Sequence, residues 1–137
     1  MAYEEAERRS FPGGFVRLVR QPEGSSYCGQ ACIAMIAGVS LEDAVRACKP
    51  HPGGGGTATP EVVAALRKFG VQCADKRCRR VSREKPVLPQ RALVTIMRTR
   101  GNRWHWMVTW DGVIYDPADL WPEYDGWRIT SYLEILG

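Results

Sequence analysis

The sequence predicts a single α+β domain in which helices come first and an antiparallel sheet follows. Between residues 29 and 70, apolar residues recur with helical spacing, in segments that end at glycine or proline. From residue 92 the pattern changes to short runs rich in β-branched and aromatic residues. Between two of these runs stands Asp111-Gly112, a dipeptide typical of a two-residue hairpin turn. With 137 residues the chain is long enough to bury one core, and we expect one domain over residues 1–137.

Near the N-terminus, Glu-Arg pairs four residues apart favour a short helix that Phe11-Pro-Gly-Gly ends. The helical half then contains three further predicted helices. Their ranges are residues 29–37, 41–48 and 61–69. Gly38 ends the first helix, and Ser25 or Ser26 is expected to cap its start. Ser40 and Asp43 form a capping box that starts the second.

The sheet is predicted mainly from the second half of the chain. The expected strands are residues 15–20, 71–74, 92–97, 104–110 and 113–116. Residues 128–136 form a last segment whose pattern fits either a strand or a helix. The charged segment between residues 75 and 91 is expected to be a solvated loop.

The predicted hairpin places a histidine beside an aspartate. Its two-residue turn puts Met107 opposite Asp116, and His105 then lies on the same face, diagonal to Asp116. Diagonal neighbours are about 7–8 Å apart, a gap that an imidazole and a carboxylate can bridge. The alternate residues are expected to point into the core: Trp104, Trp106, Val108 and Trp110. A carboxylate-oriented imidazole on rigid strands is what a general base requires.

Cys28 stands at the expected start of the first helix. Unpaired backbone N–H groups and the positive end of the helix dipole stabilise a thiolate at such a position. Cys28 is therefore a candidate nucleophile, and the alternative is that it is a small buried apolar residue.

Several of these features, in this order, resemble the papain-like cysteine peptidases. They are Gln21, Cys28-Gly29 at a helix start, the segment GTATPEVVAALRKFG, His105-Trp-Met-Val and Tyr115-Asp116-Pro117. Within that group the chain is most similar to the bacterial double-glycine peptidases, which process bacteriocin leaders, and to their standalone relatives. The resemblance covers roughly residues 15–120. It implies a papain-like fold, with N-terminal helices packed on a C-terminal antiparallel sheet, and hydrolysis of peptide or isopeptide bonds.

The resemblance also implies roles for four residues. Cys28 would be the nucleophile, His105 the base, and Asp116 the residue that orients the imidazole. Gln21 would donate to the oxyanion together with the backbone N–H of Cys28. Gln21 stands seven residues before Cys28, one more than is usual in this family. The implied chemistry uses no cofactor and no metal, and the implied partner is a protein or peptide substrate.

Other functions stay open. The same Cys-His-Asp set can deamidate or transamidate glutamine through a thioester. A zinc-binding module would use the pairs Cys28/Cys32 and Cys73/Cys78 with His51, although this spacing suits a four-ligand site poorly.

Charge and composition limit the partners. The net charge is +4, and residues 75–91 hold seven Lys or Arg against two acids, a local +5. No aromatic residue interleaves these charges, which disfavours a nucleic-acid-binding module. The sequence contains no apolar run of membrane-spanning length, no export signal and an odd number of cysteines, five. We therefore expect a cytoplasmic protein without a membrane partner, or an effector delivered without a signal peptide.

Overall fold

The computed structural model describes residues 10–11, 14–48, 57–82, 87–98, 104–118 and 127–136. Within these residues a two-stranded ribbon comes first, with β1 (Ser10–Phe11) antiparallel to β2 (Gly14–Phe15). Three helices follow: α1 (Cys28–Ala37), α2 (Leu41–Ala47) and α3 (Thr59–Lys68). The remaining strands are β3 (Arg79–Arg80), β4 (Arg91–Arg98), β5 (Trp104–Trp110), β6 (Val113–Tyr115) and β7 (Trp127–Glu134). The predicted α+β class is confirmed.

Helix α1 is the most buried helix, and it packs against β5, α2 and α3. It ends at Gly38, whose φ of 71° is the left-handed conformation that glycine adopts readily. The predicted serine cap at its start is wrong. Tyr27 is the N-cap residue, and its ψ of 24° lies outside the extended region that capping serines adopt. Ser25 instead accepts a hydrogen bond from the Tyr27 N–H, at 3.4 Å.

The other helices begin close to the predicted residues. The Ser40 hydroxyl accepts a hydrogen bond from the Asp43 N–H at 3.0 Å, so the predicted cap of α2 is present. Helix α3 begins at Thr59, with Pro60 in its first turn. Taken together, α1 and α2 have the length and apolar content of a membrane span, but the chain bends by 110° between them, and no single helix among the described residues qualifies.

The predicted strand over residues 15–20 is wrong for most of its length. Only its first residue pairs, in β2, and residues 16–20 have no regular structure. Val16 and Leu18 are buried while Arg17 is exposed, which produces the alternation of a strand in a segment that has no strand partner.

The larger sheet has five strands among the described residues, in the order β3-β7-β4-β5-β6, with every neighbouring pair antiparallel. The last segment, left open between strand and helix, is strand β7, and it lies between β3 and β4. Strand β3 falls in the charged segment expected to be a loop, because two exposed arginines pair with the edge of β7. The strand expected at residues 71–74 is a single bridge between Cys73 and Ile135.

The hairpin has the predicted register over its three paired positions, but the predicted pairing of Met107 with Asp116 is absent from the ladder. Trp110 pairs with Val113 and Val108 with Tyr115, and both turn residues have positive φ, 50° at Asp111 and 84° at Gly112. The ladder ends at Tyr115, so Asp116 lies immediately beyond β6.

The sheet buries apolar side chains on both faces. Trp106, Val108 and Trp110 belong to the main core with α1, while Met107 belongs to a second cluster with residues of β4. The prediction that Trp104 points into the core is wrong. It is 42% exposed at the start of β5, where it lines an open cavity.

Candidate active site

Cys28 is the first residue of α1. Its side chain is buried, with 8% of the residue exposed, and it forms no disulfide. The N-cap residue, Tyr27, makes no side-chain hydrogen bond to the first turn. Backbone N–H groups at the start of α1 are thus left without a side-chain cap, next to the Cys28 thiol. Such groups stabilise negative charge on a thiolate or on a nearby oxygen.

Gly29 permits a close approach between this end of α1 and its neighbours. A Cβ atom at Gly29 would lie 2.9 Å from the Thr57 Cβ and 3.3 Å from the Trp106 Cδ1, and closer still to the Thr57 hydroxyl. The Thr57 hydroxyl donates to the Gln30 side chain at 2.9 Å, and the Thr57 carbonyl accepts from the Trp106 indole N–H at 3.0 Å. Thr57 therefore ties the start of α1 to β5, the strand that carries His105.

Asp116 is the immediate partner of His105. The His105 Nε2 and the Asp116 Oδ1 are 2.7 Å apart, and both side chains are buried. The same Oδ1 accepts a hydrogen bond from the Ala118 N–H at 2.9 Å. The carboxylate is thus fixed by backbone and imidazole together, and the hydrogen bond that the hairpin register predicts is present.

The other partner of His105 is Cys28. Burial lowers the pKa of His105, but hydrogen bonds to Asp116 and Cys28 and the charges of these two groups outweigh it and raise that pKa from 6.5 to about 9. Because Nε2 is bonded to Asp116, Nδ1 is the nitrogen left to face the thiol. The imidazole thus lies between a carboxylate and a thiol, an arrangement that can hold a thiolate–imidazolium pair and transfer its proton.

Gln21 is joined to the site through the backbone. Its N–H donates to the carbonyl of Pro117, the residue after Asp116, at 3.0 Å. Its side-chain Nε2 donates to the Ser25 carbonyl at 2.8 Å, which leaves the second Nε2 hydrogen for another acceptor. Its Oε1 is buried and has no hydrogen-bond partner in the described part of the chain. The structure thus holds Gln21 beside the strand end that carries Asp116.

The remaining cysteines are not assembled into a metal site. Cys32 lies one turn after Cys28, fully buried, and burial together with the nearby charges of Cys28 and Asp116 raises its pKa well above the ordinary value. All five cysteines are free. Among the described residues no three potential ligands come together, while His51, which the zinc alternative requires, lies outside them.

Two parts of the site, Thr57 and a neighbouring cavity, are not predictable from the sequence. Thr57 follows a glycine-rich run and carries no pattern that announces its contacts with α1 and β5. A cavity of about 610 Å³ adjoins Trp106 and the start of α3, and its walls come from segments far apart in the sequence. Only the three-dimensional arrangement reveals either feature.

Comparison of the chain with protein-family models, with curated proteins and with solved structures gives no match.

Proposed function

We propose that this protein is a cysteine peptidase of papain-like architecture that hydrolyses peptide or isopeptide bonds of a protein or peptide through an acyl-enzyme on Cys28. The observation that carries the proposal is the continuous contact from the Cys28 thiol through the His105 imidazole to the Asp116 carboxylate. Nucleophilic catalysis by a thiol requires this arrangement, in which the thiol contacts an imidazole and the imidazole contacts a carboxylate. The sequence resemblance to the double-glycine peptidases supports the same reaction.

The first half of the reaction forms a thioester. The Cys28 thiolate attacks the substrate carbonyl carbon, and the carbonyl electron pair moves to its oxygen. When the tetrahedral intermediate collapses, the C–N bond breaks and the His105 imidazolium gives its proton to the leaving amine. Asp116 keeps the ring oriented and stabilises its charged form.

The second half consumes one water molecule. Neutral His105 removes a proton from that water, whose oxygen attacks the thioester carbon. The C–S bond breaks, the acid product leaves, and the thiolate and imidazolium are restored. No further reactant is needed, so the cycle balances with one water per bond cleaved.

The oxyanion is stabilised by the backbone N–H of Cys28 at the uncapped start of α1, with Gln21 as the side-chain donor. The second hydrogen on Gln21 Nε2 is the one available for this role, since the first is bonded to the Ser25 carbonyl. Removing one oxyanion donor typically costs a factor of about 10²–10³ in kcat.

The first test is the rate of iodoacetamide alkylation at each cysteine, followed by mass spectrometry between pH 5 and 9. We expect Cys28 to react at least about tenfold faster than Cys73 and Cys78 at pH 6.5, because the His105 imidazole and the start of α1 lie beside its thiol and both promote attack by the sulfur. His105→Ala should remove this advantage. Cys73 and Cys78 are internal controls, since both are more exposed than Cys28 and burial alone would reverse the order.

Turnover is then measured on a mixture of peptides, with product masses distinguishing cleavage of a peptide bond from deamidation of glutamine. Cys28→Ala and His105→Ala should each abolish turnover while circular dichroism shows an unchanged fold. A Cys28 that reacts no faster than Cys73, or full activity in either variant, contradicts the proposed mechanism.

A further inference from the structure

We propose that the cavity beside the site binds a substrate segment in which an apolar side chain lies between two carboxylates. This inference rests on the proposed function, because it names the class of peptide that the enzyme would present to Cys28. The cavity has a volume of about 610 Å³, which lies within the usual range of ligand-binding pockets.

The cavity has apolar walls. Met97, Trp104, Trp106 and Val81 line it, and Trp104 and Met97 are 42% and 38% exposed. The two tryptophan rings meet edge to face, with centroids 5.7 Å apart. Large apolar side chains left this exposed around a concavity are typical of a binding site. An apolar side chain of a partner would cover them.

The cavity is adjacent to the catalytic residues. Trp104 and Trp106 precede and follow His105 on β5, and the Trp106 ring also lies against Gly29, the neighbour of Cys28. The Thr57 carbonyl that binds the Trp106 indole directly precedes Ala58, a residue of the cavity wall. Trp106 and the Thr57–Ala58 segment therefore connect the cavity wall to the start of α1, where Cys28 lies.

The rim of the cavity is positively charged. Arg80 and Arg128 both line it and both are exposed, and none of the described lining residues is acidic. Arg80 pairs with Ser131 on β7, which lies opposite Thr95, while Arg128 lies opposite Met97, two residues further along β4. Because β7 bulges between these two positions, they are roughly 7 Å apart along the strand and on the same face of the sheet. Two carboxylates, one on each side of an apolar residue, match both charges.

A nucleic acid could bind the same two arginines, but its bases would need a cavity with different walls. Bases stack on exposed aromatic faces, and here the Trp104 and Trp106 rings share the walls with aliphatic groups of Val81, Met97 and Ile129. The aliphatic part of this wall suits the side chain of a leucine or isoleucine better than a nucleobase. The peptide is therefore the occupant that we infer.

The test uses fluorescein-labelled peptides and the full chain carrying Cys28→Ala, which prevents turnover. Fluorescence anisotropy compares a peptide containing Glu-Leu-Gly-Glu with Gln-Leu-Gly-Gln and Glu-Ser-Gly-Glu analogues. We expect the first to bind about tenfold more tightly than either analogue, because each lacks one of the two matched features. The double variant Arg80→Glu/Arg128→Glu should lose this preference and instead bind a Lys-Leu-Gly-Lys peptide, a gain that a misfolded protein cannot produce.

The matched control is Arg17→Glu, the same charge change at an exposed residue near the far end of α1. It should alter peptide affinity less than about twofold. Equal binding of the three peptides, or displacement of the acidic peptide by a ten-nucleotide oligo(dT), overturns the inference. If Cys28 is still alkylated rapidly in the parent protein, either result rejects the docking site and leaves the proposed function standing. Selective peptide binding together with slow alkylation of Cys28 supports the docking site and contradicts the proposed peptidase mechanism.

Discussion

At the scale of single residues, His105 determines how the site responds to pH. Its imidazole is buried, which disfavours the charged form, yet it touches a carboxylate and a thiol that both favour that form when ionised. The result is a pKa of about 9, so the ring carries its proton throughout the neutral range. A protonated imidazole is the form that the leaving amine needs.

We therefore predict that turnover falls as pH rises through about 9, where His105 loses its proton. Asp116→Asn should move this limb to lower pH by one unit or more, because the carboxylate charge that opposes burial is gone while burial remains. The direct measurement is a proton NMR titration of the imidazole. The chain has only two histidines, so His51→Gln assigns the signals. A midpoint near 6.5 for His105 in the parent protein contradicts the proposed pairing.

Gly29 is the residue that sets the distance between α1 and its neighbours. We predict that Gly29→Ala destabilises the protein by about 1–3 kcal/mol and slows Cys28 alkylation at least about tenfold, because the new methyl group displaces α1 from Thr57 and Trp106. Denaturant unfolding and the alkylation assay measure the two effects.

The control for this substitution is Gly70→Ala. Gly70 has a φ of 80° with open space around it, so a side chain there costs backbone strain without pushing on the site. It should lower stability by about 1 kcal/mol and leave Cys28 reactivity unchanged. If both substitutions slow alkylation equally, the effect of Gly29→Ala reflects stability and not the position of α1.

At the scale of elements, the β5–β6 hairpin is the part of the site that local sequence specifies. Asp111 and Gly112 accept the positive φ angles of a two-residue turn, and this turn fixes which residues face each other. The Arg91 guanidinium reinforces the same end by pairing with Asp111, at 3.1 Å, while lying 5.3 Å from the centre of the Trp110 ring. The meeting of His105 with Asp116 follows from these local rules.

We predict that Gly112→Ala lowers the free energy of unfolding by about 1 kcal/mol or more, because alanine at a φ of 84° is strained. Gly112→Asn should cost less, since asparagine tolerates this conformation better. Both are measured by chemical denaturation. Equal stability of the alanine variant and the parent would mean that the turn is not needed to hold the hairpin.

Other elements lie beyond the reach of local patterns. The start of α1 was predicted from the nearby serines, but its N-cap conformation is set by the turn that delivers Tyr27. Strand β3 consists of two arginines, whose exposed side chains carry no strand signal and which pair only because β7 presents a free edge. The cavity draws on α3, β3, β4, β5 and β7, so no short stretch of sequence could announce it.

At the scale of the whole molecule, the site joins the two halves of the fold. Cys28, the proposed nucleophile, is on the first helix of the helical half, while His105 and Asp116 belong to the second half. The packing of α1 against β5 is therefore part of the core and also brings the residues of the site together. Any change that loosens this packing should reduce reactivity before it unfolds the protein.

This division has a consequence for biosynthesis. His105 comes 77 positions after Cys28, and at the usual rate of translation that interval lasts roughly 4–15 s. During it the nascent chain carries a thiol with neither base nor orienting carboxylate. Strand β7 comes later still, yet it lies inside the sheet, between β3 and β4. An unfinished chain would thus lack the proposed peptidase activity, because Cys28 meets no imidazole until the second half of the chain has been made.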